Sequence, residues 1–221
     1  WFVVRFVAGV GAAWVFVHAA AWGLRHALAA ERPEWSGWLF VGAGLTLIVS
    51  GVICALLGGT RMQVTGPTAA FVVILVICFA AAGLGSIATT PNIPTWYALL
   101  AKPTWNPPNW IFGPVWTVLY TTMAIAAWLV WKRGGFAAQR VALACFLIQL
   151  FLNALWSPLF FGLHLPGLAF VDLLLLWLAL FGTVATFWKA DRLAAAMLVP
   201  YLAWITFAGA LNFAIWRLNA T

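Results

Sequence analysis

The sequence predicts an all-α integral membrane protein of seven transmembrane helices. Three observations lead there. Of 221 residues, 66% are hydrophobic and 7% are charged, whereas soluble domains are roughly one quarter charged. The mean hydropathy is +1.04. The apolar residues also fall in seven continuous runs, at 2–24, 37–59, 67–88, 113–132, 140–161, 166–188 and 193–216. Each is close to the roughly 20 residues that a helix needs to cross a bilayer. Membrane β-barrels read instead as short alternating segments, a pattern these runs do not have.

The breaks between runs carry turn signals in order along the chain. They read ERPEWSG (31–37), GGTRMQVTGP (58–67), a Pro/Trp-rich stretch (89–112), KRGG (132–135), HLPG (164–167) and KADR (189–192). The net charge of +7 rests on 11 scattered basic residues, without the run or stripe that nucleic acid requires. Threading seven spans puts Arg5, Arg61, Lys132, Arg133, Arg140, Lys189 and Arg192 on one side and Arg25, Arg32, Lys102 and Arg217 on the other. The richer side faces the cytoplasm. This predicts a cytoplasmic N-terminus in a bacterial inner membrane, with the 89–112 loop on the opposite face. Cys54, Cys78 and Cys145 lie singly inside apolar runs and read as small buried hydrophobes, not as metal ligands. Trp1, Trp35, Trp38, Trp131 and Trp188 sit at run ends, as interfacial anchors do.

The stretch KPTWNPPNWIFGPVW, residues 102–116, concentrates the chemistry. Pro103, Pro107, Pro108 and Pro114 withhold backbone donors and restrict their neighbours, which predicts a stiff, non-helical crossover. Trp105, Trp110 and Trp116 add large rigid faces. Such a loop suits a roof over an opening between helices that holds a flat apolar ligand. It suits equally an interfacial loop anchored by its tryptophans.

Within the spans, Gln149, Asn153 and Trp156 follow i, i+4, i+7 spacing and share one helical face. Amides in lipid are costly without partners, so this face points into the bundle, toward a ligand or toward hydrogen bonds between helices. Trp204 and Ala208 repeat the spacing on the last span, beside small Gly209 and Ala210. Asp172 lies about two turns into a span. Its expected role is to accept bonds from a neighbouring helix, since no second titratable partner for acid–base work is evident. His18, in AWVFVHAAAWGL, is a candidate axial ligand for a metallated pigment, or else a histidine bonded within the bundle. Purple-bacterial antenna proteins typically place Ala four residues before such a His, where this chain has Trp14.

WYALLAKPTWNPPNWIFGPVWTVLY (96–120) closely resembles the signature of the TspO/MBR family, the tryptophan-rich sensory proteins and translocator proteins. QLFLNALWSPLFFG (149–162) and VPYLAWITFAGALNFAIWRLN (199–219) look like that family's third and fifth helices. The resemblance implies a TspO-like five-helix domain over 67–221, preceded by an extra two-helix hairpin over 1–66. It implies a receptor that binds porphyrin, of the protoporphyrin IX class, or a lipid-like small molecule, under the first loop. Its pocket would be lined by residues matching Trp116, Asn153, Trp156, Trp204 and Ala208, with Tyr97 and Trp105 at the mouth. The resemblance further implies a sensor or regulator of porphyrin or pigment metabolism, commonly a homodimer. Two alternatives accompany it. One is a structural or assembly subunit of a membrane pigment-protein complex, photosynthetic in kind, docked through residues 1–66 and holding (bacterio)chlorophyll or carotenoid. The other is a light-dependent porphyrin-degrading enzyme, because that activity is attributed to some bacterial members. The residues themselves assign no catalytic set and no metal site, and leave the enzyme question open. The vertebrate cholesterol motif is incomplete here: Leu211 and Arg217 are present, but Phe213 replaces its tyrosine.

Overall fold

The computed structural model describes the backbone of residues 66–220 and the side chains of residues 70–220. The expected spans at 2–24 and 37–59, and His18 with them, lie outside the described residues. The described part contains five helices long and apolar enough to cross a membrane. They are α1 (Gly66–Thr89), α2 (Phe112–Trp131), α3 (Arg140–Ser157), α4 (Pro166–Ala190) and α5 (Arg192–Asn219). Their limits fall within a few residues of the last five apolar runs.

The helices close into a ring. α1 packs on α2, α2 on α5, α5 on α4, α4 on α3, and α3 back on α1. Alanines make the close approaches possible: Ala124, Ala126 and Ala127 of α2 and Ala194 and Ala195 of α5 are all fully buried. Small residues let helix backbones meet, and in lipid that packing, not water exclusion, drives association.

The connections follow local chemistry. α2 turns into α3 through Gly134 and Gly135, both at positive φ (127° and 72°). A Cβ on Gly134 would stand 2.7 Å from that of Ala138, so glycine is required there. α3 passes into a single π-turn, Pro158–Gly162, and His164 then takes a left-handed φ of 56° before Pro166 opens α4. Asp191 caps α5 by accepting from the Ala194 amide at 3.1 Å. The same carboxylate meets Arg133 at 2.7 Å, tying the α2–α3 turn to the α4–α5 turn. Lys132, Arg133, Arg140, Lys189 and Arg192 thus gather at one end of the bundle, with Lys102 and Arg217 at the other.

The Pro/Trp stretch is less uniform than the sequence predicts. Residues 101–108 are irregular, as expected around Pro103, Pro107 and Pro108. Residues 90–97, however, continue α1 as a 3₁₀ turn and a π-turn. Pro91 and Pro94 are the second residues of those turns, and each marks a departure from regular α-helical bonding. Pro114 likewise sits inside the first turn of α2.

Arg133 first, and then the Ala194 amide, hold the Asp191 carboxyl below its ordinary range. Its contribution to stability is therefore complete above the ordinary carboxylate pKa and is lost as pH falls through the depressed value. Asp191→Ala removes both the cap and the ion pair and should cost about 1 kcal/mol at neutral pH. Thermal unfolding in detergent checks this: the wild-type advantage should be plain at pH 7 and should shrink under strongly acidic conditions.

Candidate functional site

A cavity lies inside the ring, and its walls come from four helices. Phe112 and Trp116 come from α2, Asn153 and Trp156 from α3, Leu173 and Leu176 from α4, and Trp204, Ile205 and Ala208 from α5. Of the seven residues expected at a ligand site, Trp116, Asn153, Trp156, Trp204 and Ala208 converge here. Its free space is about 30 Å³, enough for a water molecule or two. Ligand pockets for drug-sized molecules run to about 300 Å³ or more.

Asn153 is the polar element of this wall and is buried, 5% exposed. Its Oδ1 accepts from the Tyr120 hydroxyl on α2. Its Nδ2 donates to the Tyr201 hydroxyl on α5 at 2.8 Å. One amide thereby joins three helices. Trp116 covers this junction, with its ring 5.4 Å from Tyr120 and 6.2 Å from Tyr201. A side-chain amide has two donors and two acceptor lone pairs, so after these two bonds Asn153 keeps one of each. Asn212 fixes Trp156, on the same wall. Its Oδ1 accepts from Trp156 Nε1 at 3.0 Å, and its Nδ2 donates to the Pro166 carbonyl at 2.7 Å. The indole is thus held against α5, and the α4 N-terminus is tied to it.

Tyr97 and Trp105 do not line the cavity. They form a roof one aromatic ring away. Trp105 meets Phe207 edge-on at 5.9 Å, and Phe207 lies 5.5 Å from Trp204. Tyr97 lies 6.3 Å from Phe160, which stacks on Trp156 at 5.2 Å. Each expected mouth residue therefore reaches an expected pocket residue through one phenylalanine.

Polar contacts pin the roof. The Tyr97 hydroxyl donates to Asn106 Oδ1 at 2.9 Å. Asn219, at the end of α5, accepts from the Ala101 amide and donates to the Ala101 carbonyl, both at 2.9 Å. Lys102 Nζ donates to the Leu100 carbonyl at 2.9 Å and rests 4.7 Å from the Tyr97 ring. Partial burial there holds its ammonium below the usual lysine range. On the far side, His164 stacks on Trp96 at 4.3 Å and meets Asn92 Oδ1 at 3.2 Å.

One expectation needs correction. Asp172 is buried, 4% exposed, but its Oδ2 has no hydrogen-bond partner among the described residues, so the expected bond from a neighbouring helix is not made there. Gln149 shares the face of Asn153 and points into the bundle as expected, though it does not line the cavity. Its Nε2 donates to Met123 Sδ on α2 at 3.9 Å, and its Oε1 has no partner among the described residues. Leu211 and Phe213 also part company: Leu211 turns inward, while Phe213 faces outward against Phe170 and Trp216.

Sequence reasoning missed Tyr120, Tyr201 and Asn212. Tyr120 follows Trp116 by one turn, and Tyr201 precedes Trp204 by one turn, so helical spacing places each beside its tryptophan. Asn212 carries the same signal as Asn153: an amide in a span must find a partner. Among the described residues no group of three His, Cys, Asp or Glu side chains is placed to hold a metal ion.

Residues 71–217 match the model of the TspO/MBR family. The chain is 44% identical over 153 residues to protein CrtK of Rhodobacter capsulatus, spanning 67% of this chain and 92% of the relative. It is 43% identical over 159 residues to the tryptophan-rich protein TspO of Archaeoglobus fulgidus, spanning 72% of this chain and the relative's full length. It is 47% identical over 126 residues to the human translocator protein, spanning 56% of this chain and 75% of the relative.

The Asn153 junction makes a direct prediction. Tyr201→Phe strands the Nδ2 donor and Tyr120→Phe strands part of the Oδ1 acceptor, each inside a lipid-embedded core. Each should lower stability by about 1 kcal/mol, read as a melting temperature lowered by a few degrees in detergent. Unchanged melting in both variants would show that the junction does not hold the helices together.

Proposed function

The chain belongs to the TspO/MBR family, and from that premise we propose that it is a membrane receptor for a flat tetrapyrrole of the protoporphyrin IX class, a sensor or regulator of porphyrin or pigment metabolism. One observation carries this reading: three tryptophans and one asparagine from three helices converge on a single cavity beneath an aromatic roof. Indole faces supply broad apolar contact and stacking. The spare donor and lone pair of Asn153 supply orientation. The names of similar proteins, a tryptophan-rich sensory protein of Cereibacter sphaeroides among them, agree with a sensing role.

The small cavity adds a requirement. A macrocycle fits only if the walls part, so binding couples to displacement of Trp116, Trp204 or the roof. In this reading Tyr97 and Trp105 are the mouth, and the phenylalanines beneath them move with it. The protein sits in a bacterial inner membrane with its basic end in the cytoplasm, and works as a homodimer or within a larger complex.

A second reading draws on the same closure. A cavity too small for a macrocycle also suits an assembly subunit of a membrane pigment-protein complex, in which the pocket stays shut and the chain acts through its partners.

Titration of the detergent-purified protein with protoporphyrin IX, followed by tryptophan quenching, separates the two. Saturable binding is expected. Trp116→Ala and Asn153→Ala should each weaken it about tenfold, which corresponds to about 1.4 kcal/mol. Trp188→Ala, exposed at the end of α4, should leave it unchanged. Absence of saturable binding by a folded, monodisperse sample would favour the assembly reading.

A further inference from the structure

α1 is the least covered of the five spans. Only 11% of its most apolar window is buried, against 28% to 39% in the other four. Its uncovered side chains form a line. Val73, Ile77, Leu84 and Ile87 are 56%, 42%, 60% and 69% exposed. At 100° per residue they fall within a narrow stripe along one face, with Ala80 on the same line. Gly83 lies at the edge of this stripe, and no described atom comes within 4 Å of where its Cβ would stand. Glycine in a helix interior costs about 0.5–1 kcal/mol relative to alanine, and nothing in the described bundle requires it there.

The chain itself supplies an occupant. The apolar run at 37–59 is long enough to cross the membrane and carries Gly42, Gly44, Ser50 and Gly51. Residues 60–65 alone separate it from the start of α1. Even fully extended, so short a link reaches only about 20 Å, roughly two helix diameters. That is too little to carry the run around the bundle to the outer faces of α4 and α5. A short tether also holds the two segments at millimolar effective concentration, and small residues permit the close packing that associates helices in lipid.

We propose that residues 37–59 lie antiparallel along the Val73–Ile77–Leu84–Ile87 face of α1 and form a sixth wall of the bundle. The covering segment, unlike the face it covers, precedes the residues 71–217 that match the family. The face is then closed to a second copy, and any self-association must use another side.

Cysteine cross-linking in membranes tests this. In the full chain, with Cys54, Cys78 and Cys145 replaced by alanine, one cysteine is placed at Val73→Cys. A second is walked through Gly51→Cys, Val52→Cys, Ile53→Cys and a restored Cys54, which together sample every direction around a helix. Copper phenanthroline should give internally linked monomer for one or two of the four. The same walk against Ile148→Cys on α3, Phe181→Cys on α4 and Val199→Cys on α5, exposed positions at matching depth, should give none. Gly85→Cys with Ser157→Cys, where a Cβ at Gly85 would stand 3.6 Å from that of Ser157, within disulfide reach, verifies the oxidation. Linked dimer at Val73→Cys would show that a second copy occupies the face and would overturn the proposal. So would linkage to α3, α4 or α5 instead, or no linkage to α1 while the verifying pair joins.

Discussion

The bundle depends on one amide. Asn153 is buried among the spans, where lipid offers no hydrogen bonds, so its polar ends find partners in the protein. Tyr120 and Tyr201 satisfy them from two different helices. Three helices are thereby fixed in rotation as well as in distance. A stripe of leucine would leave them free to turn, because apolar side chains in lipid gain little by choosing one neighbour over another. Once α2, α3 and α5 are fixed, Trp116 and Trp204 face the same space, and Trp156 is held beside it by Asn212.

The loop continues this logic outward. Its prolines cannot pair with one another, so side chains, one of them at the end of α5, hold it. Asn219 grips the Ala101 peptide at both its N–H and C=O, and Asn106 receives the Tyr97 hydroxyl. Below these bonds, contact with the cavity walls runs through Phe160 and Phe207. The roof is therefore anchored by polar bonds at its rim and by aromatic edges beneath. Edges slide more readily than hydrogen bonds break, so the rim is the firmer part of the roof.

At the opposite end the protein uses charge in place of aromatic packing. Asp191 caps α5 and pairs with Arg133, joining two turns that would otherwise be independent. The surrounding Lys132, Arg140, Lys189 and Arg192 need no internal partner, because they extend toward water and headgroups. Lys132 lies 4.4 Å from the Trp128 ring and Arg192 6.0 Å from that of Trp188, the expected company of cations and indoles at a membrane interface.

The five described spans were legible in the sequence because crossing a bilayer imposes length and apolarity, and both are local properties. The family was legible because the prolines, tryptophans and asparagine of 96–120 and 149–162 occur together at fixed intervals. Trp116, Asn153, Trp156, Trp204 and Ala208 could be named as neighbours for the same reason. What the sequence left undecided was set by distances between helices. Periodicity places Asn153 on an inner face but cannot say that two tyrosines from other helices meet it. It places Asp172 in a span but cannot show that its Oδ2 lacks a partner among the described residues. It puts Tyr97 and Trp105 near a mouth but cannot show that one phenylalanine stands between each of them and the cavity. Side-chain type and spacing are written along one chain, whereas a pocket's closure depends on how five helices tilt against one another, and only the assembled bundle fixes that.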